Sequence, residues 1–381
     1  MKLRLSMLAV IILFTFACDE KTGNDKLNLN EQVADYIQKF PYQDTYNYMK
    51  KYTSGNPSKL NVWVLGEEPV LVKAGEDKVV RMNNDTYYKL AFVELSRGPV
   101  KLSSSNPPND RFYSFQLMDD RNVNYRNVIR PKGNYFLYNG SKPEILDGEL
   151  IEVPSKIGVV IVRVEVKDKN NEDDVNRAKS IFNGITIEGP KIKEFPQIDL
   201  LSSFSKEVAD EANRLMDSTI QNTPFSQLIA GPGQVPDEVS YLRLSAGTKG
   251  GWGGPVTSHS VYEFAFVDKQ GEALNGSKGD YKLTMKEPPV DAFWSVTVYD
   301  TDSGGFFHPN KDDRYHINNT TAVKNNDGTI TFYFRTKCKE GDVNCLEVPS
   351  GKFDLVARYY LPHEEIRNGK WTLPKPELIK N

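Results

Sequence analysis

From about residue 61 onward the chain is written as short runs of β-branched and aromatic residues, separated by clusters of Asn, Asp, Gly and Pro. That punctuation constrains the fold more than any other feature. Runs of this length read as strands, and the breaks between them leave little room for crossover helices, so neighbouring strands pair antiparallel. The clearest N-terminal strands are 61–65, 87–95, 111–118 and 157–166. In 157–166, Val160, Val162, Val164 and Val166 share one side. The mixed period of 112–118 predicts a strand covered on both faces at one end. From Val239 onward the chain is read as β, with strands at 261–267, 281–285, 292–299, 329–334 and 353–360. Asn326-Asp327-Gly328 is a hairpin turn, because Asp-Gly tolerates the positive φ that a type I′ turn requires. The 381 residues are about two and a half times the ~150 of a typical domain. The expectation is a mainly β chain with helical insertions, folded as two antiparallel β-sandwich or jelly-roll-like domains.

Three segments read as helical. Val33, Tyr36, Ile37 and Phe40 recur at helical spacing within 28–52, with Asn28 and Glu31 as a capping pair. Pro41 interrupts this pattern, which predicts two short helices rather than one long one. Val175, Ala178 and Phe182 mark a second helix over 174–182. In 195–236, Phe204, Val208, Ala212, Leu215, Met216 and Ile220 form one stripe, with Ser203 as cap and Lys206, Glu207, Asp210 and Glu211 opposite. That stripe predicts a helix packed on a sheet or between domains; a membrane-surface helix would need a basic polar face that is missing. Gly231-Pro232-Gly233 and Pro236 read as a linker. The resulting layout is a leader at 1–17, a tether at 18–30, a helical segment at 31–55, an N-terminal β domain at 56–194, a helical insertion at 195–236 and a C-terminal β domain at 237–381.

The leader begins with Lys2 and Arg4, continues with an apolar run from Met7 to Phe16 broken only by Thr15, and ends at Ala17-Cys18. This is the secretory signal pattern, and the run is about half the ~20 residues that span a bilayer. Cys18 after a small residue resembles the lipobox of bacterial lipoproteins, with Phe16 a loose fit. The resemblance implies cleavage before Cys18, acylation of its thiol with a palmitate-type chain, and a lipid-anchored protein of the cell envelope, on the outer membrane or the periplasmic face. The other reading is ordinary secretion with Cys18 a bystander. Of the three cysteines, Cys338 and Cys345 remain, close together in a turn-like segment, and an oxidising compartment makes a disulfide between them reasonable.

Charge and motif content exclude several classes. Lys+Arg 48 against Asp+Glu 51 gives a net charge of −3, with no basic excess to bind nucleic acid. The four histidines, His259, His308, His316 and His363, form neither H-x-x-x-H nor H-E-x-x-H, and G-x-S-x-G is absent. The glycines between Gly247 and Pro255 match no phosphate-binding loop; they read as a flexible surface loop with Trp252 placed to cover a pocket mouth. Asp300-Thr301-Asp302 starts like a calcium loop, but Gly304 and Lys311 stand where ligands are needed. No metal and no cofactor are expected. Two clusters remain. One holds Arg81, Asn83, Asn84, Asp85, Thr86, Tyr87 and Tyr88, with Asp119 and Arg130. The other holds Trp294, Tyr299, Asp300, Asn310, Arg314 and Tyr315. Their mixture of aromatics, amides and charges suits a polar-ligand site, with Asn84, Asp85, Tyr87, Asp119, Arg130, Trp294, Tyr299, Asp300 and Arg314 as candidates. It equally suits buried networks that pin loops to a sandwich. The expected function is non-catalytic binding of a polar ligand such as a glycan or envelope component. The alternatives are a hydrolase using Asp85 with Asp119 or Asp300 with Asp302, and a structural module of the envelope.

The same segments carry a family likeness. Residues 80–88, with Asn83-Asn84-Asp85, then Val93-Glu94-Leu95-Ser96 and 111–119, resemble the DUF1254 domain. Residues 292–300, Asn310, Arg314-Tyr315, Asn326-Asp327-Gly328 and Pro349-Ser350-Gly351 resemble its usual C-terminal partner, DUF1214. The resemblance implies an N-terminal β-sandwich, a helical insertion and a C-terminal jelly-roll-like domain, with no settled activity and so no catalytic residue. Glu94 stands where Asp is usual, and Cys345 follows Asn344 where Trp is usual, which marks the Cys338–Cys345 pair as a local feature of this chain.

Overall fold

The computed structural model describes residues 20–76, 80–105, 110–144, 147–231 and 238–379, with the side chains of 20–28 and 238–240 excepted. Nine strands build the N-terminal body. They are β1 (Trp63–Leu65), β2 (Thr86–Glu94), β3 (Val100–Ser104), β4 (Tyr113–Asp119), β5 (Asn124–Ile129), β6 (Gly133–Tyr138), β7 (Glu149–Glu152), β8 (Ile157–Glu165) and β9 (Ile185–Glu188). One sheet runs β1-β2-β8-β4-β5 and the other β7-β6-β3-β9. Their facing sides share one core, in which Ala91, Phe115, Val160, Val162 and Val164 of the first sheet meet Leu102 and Leu137 of the second. Helix α1 spans Glu20–Thr53, and α2 (Glu172–Asn183) closes one edge of this core through Ala178, Ile181 and Phe182. The Asn171 side chain caps α2 by accepting from the Asp174 amide at 3.1 Å.

The C-terminal body is a second sandwich. Its strands are β10 (Ser260–Ala265), β11 (Tyr281–Met285), β12 (Trp294–Asp300), β13 (His316–Asn318), β14 (Ile330–Arg335), β15 (Cys345–Glu347), β16 (Phe353–Tyr360) and β17 (Glu377–Leu378). They form the sheets β10-β16-β12-β13 and β15-β14-β11-β17 around Trp294, Val296, Leu355 and Ala357 on one side and Leu283, Phe332 and Phe334 on the other. The pairing is antiparallel except for β6 with β7 and β14 with β15. Helices α3 (Lys206–Asn222) and α4 (Glu238–Gly251) pack with α1, and α5 (Glu364–Arg367) follows β16.

Every residue of β4 and β8 is buried, and all of β2 except Tyr88. The reason is that the first sheet is covered twice. Its inner face meets the second sheet. Its outer face meets α1 and Trp252 over one half, through Leu90, Phe92, Met118, Ile161, Tyr46 and Met49. The other half faces the second sandwich.

Five sequence expectations are corrected here, the first being the β reading from Val239 onward, since α4 occupies the chain to Gly251 before β10 begins. Helix α1 runs unbroken through Pro41, and residues 20–30, expected as a tether, are its first turns. Proline removes one backbone bond, but α1 is held on both sides of it, by α3 and α4 at Val33, Tyr36 and Ile37 and by the sheet at Tyr46 and Met49. The cap of α3 is Ser205, which accepts from the Val208 amide, rather than Ser203. The glycine-rich stretch is no flexible loop. Gly247 lies in α4, where a Cβ would meet the Leu228 carbonyl oxygen at 2.2 Å, so only glycine permits that approach. Trp252 stacks on Tyr48 at 4.4 Å and donates to Thr45 Oγ1 at 3.1 Å, which bolts the end of α4 to α1. The proposed linker glycine and prolines at 232–236 and the leader with Cys18 lie outside the described residues.

Candidate functional site between the sandwiches

The outer face of β10-β16-β12-β13 is polar, unlike its inner face. Strand register places Tyr262 opposite Arg358, Arg358 opposite Ser295, and Ser295 opposite Asn318, a row across all four strands. The next row carries Thr297 opposite His316. This face closes against the outer face of the first sheet, where Tyr88 pairs with Arg163 and Arg163 with Ser114. Polar side chains from both bodies therefore meet in the interior.

Asp85, just before β2, ties the bodies together. Its carboxylate accepts from Ser295 Oγ at 2.5 Å and from the Tyr360 hydroxyl at 3.4 Å, and Asn83 donates to that hydroxyl. Alongside it, Arg81 makes a two-pronged pair with Asp354 at 3.0 and 2.9 Å, and Thr301 adds a bond to the same carboxylate at 2.9 Å. Arg358 donates to Thr297 Oγ1, to the Arg81 carbonyl and to the Tyr299 hydroxyl at 3.1, 2.8 and 2.8 Å. Tyr299 in turn donates to the Met82 carbonyl at 2.5 Å.

Two guanidiniums stand at the centre of this region. Arg358 is 1% exposed and lies over the Tyr262 ring at 5.1 Å. Arg163 is 4% exposed, lies over the Tyr88 ring at 5.3 Å and donates to Gln116 Oε1. Neither forms a salt bridge among the described residues, and the Nε of each is buried without a hydrogen-bond partner. Asp85 is the carboxylate facing Arg358. The groups facing Arg163 are the Tyr88, Tyr262 and Tyr360 phenols. Burial raises the Tyr88 and Tyr360 hydroxyls above their ordinary range, so both are neutral at pH 7. Burial drives His316 down to about 4 and His259 well below its usual value, the latter helped by the nearby Arg163 charge. Both imidazoles are therefore uncharged as well. Amid these buried neighbours Tyr88, Tyr262 and His316 keep some accessible surface. Tyr262 also lines a surface cleft of about 700 Å³ whose other walls include Phe225, Phe264 and Thr372.

The expected site residues separate. Asp85 and Tyr299 belong to this region, and Asn84 lies beside them, buried with Oδ1 unpartnered. Tyr87 points the other way, into the sandwich core against Phe182. Trp294 is likewise core, edge-on to Phe332. Asp119 closes the turn after β4, pairing with Arg121 at 2.7 Å and accepting from the Arg121 and Val123 amides. Arg130 donates to the Arg111 carbonyl. Asp300 holds the next turn by accepting from the Ser303 amide, Asp302 accepts from the Lys352 amide, and the Arg314 amide is held by Asn310. Cys338 and Cys345 are disulfide-bonded, Sγ to Sγ 1.96 Å.

Asp85 and Asp119, the first carboxylate pair weighed for hydrolysis, do not come together as an acid and base, and Asp300 and Asp302 are both engaged in turn hydrogen bonds. Asp85 pairs through its carbonyl with Val166, whereas Asp119 lies opposite Gly158 on the same strand line. Eight residues of strand separate those positions, about 26 Å at ~3.3 Å per residue, against the ~5–9.5 Å that glycoside hydrolysis uses. A Ser–His contact that the sequence did not announce joins Ser114 Oγ to His259 Nε2 at 2.9 Å. Both side chains are sealed from solvent, and the second ring nitrogen faces Ser260 Oγ at 3.4 Å rather than a carboxylate. The imidazole could serve as a base, but it has no orienting carboxylate and no solvent access, so this is a packing contact rather than a nucleophilic site. Among the described residues no group of three or more His, Cys, Asp or Glu could hold a metal ion.

The sequence reading missed Arg163, Arg358, Tyr262 and Ser295. The available signal was a charge inside an otherwise apolar strand: Arg163 between Val162 and Val164, Arg358 between Ala357 and Tyr359.

Comparison with known proteins adds fold and family. No curated protein matches the chain. The VPA0106 protein from Vibrio parahaemolyticus has a similar structure, with a TM-score of 0.77 at 19% identity, covering 93% of this chain and 100% of that one. An uncharacterized protein from Burkholderia cenocepacia aligns at a TM-score of 0.45 and 11% identity, covering 94% of this chain and 97% of its own. Two family models of proteins of unknown function match, DUF1254 over residues 65–189 and DUF1214 over residues 259–364. They fall on the two sandwiches in that order, and the chain belongs to the proteins that join a DUF1254 domain to a DUF1214 domain.

Proposed function

We propose that this chain is a non-catalytic binding protein that holds a small polar molecule between its two β-sandwiches. The observation that carries the reading is the pair of buried arginines, Arg163 and Arg358, contributed by opposite bodies and each with an unpartnered Nε. Buried polar atoms are ordinarily satisfied, and a buried guanidinium without a carboxylate is costly, so such groups mark sites whose partner comes from outside the chain. Placement at a domain interface, with aromatic and amide side chains around it, suits ligand capture. The separation of Asp85 from Asp119 speaks against a hydrolase built on that pair.

Asp85 and Arg81 support a second role in the same region. Their bonds to Ser295, Tyr360 and Asp354 are satisfied and cross between the bodies. They pin the two sandwiches in register, which is the structural reading applied to the rim rather than to the arginines.

The anchor completes the proposal. Acylation at Cys18 would place the protein in the cell envelope, with the membrane as its partner and soluble polar molecules, glycans included, as its ligands. Incorporation of labelled palmitate, lost in Cys18→Ser, tests the anchor. A thermal-shift screen of polar metabolites and glycans tests the binding, since a ligand raises the unfolding midpoint only by preferring the folded form. A saturable rise supports the proposal, and a flat response across the screen overturns it.

A further inference from the structure

The charge balance of this buried region specifies more than polarity. Arg163 and Arg358 bring two positive charges, and Asp85 brings one negative charge facing Arg358. The surrounding Tyr88 and Tyr360 phenols and the His259 and His316 rings are neutral at pH 7, as their burial requires. One positive charge is left over, and it falls on Arg163, whose hydrogen-bonding neighbours, Gln116 and the Tyr88 phenol, are both neutral. A guanidinium has five N–H donors in a planar fork matched to carboxylate and phosphate oxygens. Arg163 and Arg358 rise from β8 and β16, which are interior strands of their sheets, and both face Tyr262 and Tyr360.

We propose that the buried polar region between the sandwiches is an oxyanion site, in which the carboxylate or phosphate group of a small ligand bridges Arg163 of the N-terminal body and Arg358 of the C-terminal body. The inference rests on the binding reading above and names its ligand class. Arg163 supplies the charge that the protein leaves uncompensated. Asp85 faces the other arginine, which leaves room for one net negative charge and disfavours a second. Tyr262, shared between Arg358 and the surface cleft, stands between the outside and the anion.

The test uses the full chain and titrates benzoate and inorganic phosphate, with benzamide and glucose as uncharged controls, at constant ionic strength set with chloride. Calorimetry and the thermal midpoint are read together. A saturable heat and midpoint rise with benzoate or phosphate, absent with both controls, supports the proposal. Which of the two anions binds tighter assigns a carboxylate or a phosphate ligand. In Arg163→Met the affinity falls at least a hundredfold. Arg163→Lys keeps the charge but loses the planar fork, and it retains binding weakened about tenfold, which keeps the test valid if the Met variant folds poorly. Equal binding by wild type and a folded Arg163→Met overturns the proposal. Saturable binding of glucose or other neutral compounds with no response to either anion overturns the oxyanion inference while leaving the binding reading intact. Silence towards anions and neutral compounds alike overturns both.

Discussion

Replacing Arg163 by Met separates a ligand site from a structural network. If Arg163 were half of a satisfied buried pair, its removal would orphan the partner and cost about 3–5 kcal/mol. The structure gives a different ledger for the ligand-free protein. The substitution loses a hydrogen bond to Gln116, worth about 1.5–3 kcal/mol for a charged donor, and its contacts with Tyr88, the hydroxyl bond and the ring face together worth about 2 kcal/mol when desolvated. It removes the desolvation of an unneutralised charge, several kcal/mol by itself, and fills the volume with an adaptable apolar chain. Replacing a whole buried ion pair by apolar groups is commonly neutral or stabilising by about 1–4 kcal/mol; here no carboxylate is left behind, and only neutral acceptors, the buried Gln116 Oε1 and the Tyr88 hydroxyl, lose their donor. Ligand-free Arg163→Met is therefore expected to be at least as stable as wild type in urea unfolding followed by tryptophan fluorescence. The denaturation slope should be unchanged, so that a shift in midpoint reports stability. Far-UV circular dichroism confirms an unaltered fold. A loss of 3 kcal/mol or more with the fold intact would refute the reasoning, because it would mean that the protein itself satisfies this charge.

Two further predictions concern the surroundings. Burial pushes Glu165 up to about 7 while the Phe112 amide opposes that shift, so the folded form binds the proton more tightly than the unfolded chain, whose carboxyl titrates near 4.5. That contribution to stability is full below about 4.5 and is lost as pH rises through 7, about 3 kcal/mol in all at 1.36 kcal/mol per pKa unit. Glu165→Gln keeps the acceptor for the Phe112 amide at 2.8 Å, so it should raise stability at pH 9 by up to ~3 kcal/mol and leave it nearly unchanged at pH 4; equal effects at both ends would contradict the assignment. Trp252→Ala removes the ring that stacks on Tyr48 and packs near Phe92, and should cost about 3 kcal/mol in the same unfolding assay; a cost under 1 kcal/mol would restore the flexible-loop reading of this segment.

The two sandwiches were legible because period-two alternation and turn residues report strands directly. Which face a residue takes was less legible, and the site turned on that. Tyr87 and Trp294 were named from the sequence, yet they fill cores, while their neighbours Tyr88 and Ser295 face the polar interface. A strand buried on both sides has no polar face to fix the assignment, and a shift of one residue exchanges core for site. Arg163 and Arg358 were visible as charges inside apolar runs, but the polar interface they share forms only once two distant sheets meet. Helix α1 and the glycines of α4 were misread for a related reason. Local propensity disfavours Pro41 and Gly247 in helices, and packing against the sheet and against the Leu228 carbonyl overrides it.

The most direct measurement is a high-resolution crystal structure of the full chain grown with phosphate and, separately, with benzoate. The account predicts density for an oxyanion within hydrogen-bond distance of Nε of both Arg163 and Arg358, with Asp85 still bonded to Ser295. An interface collapsed so that protein atoms cap both guanidiniums, or one holding only water under both conditions, would contradict it.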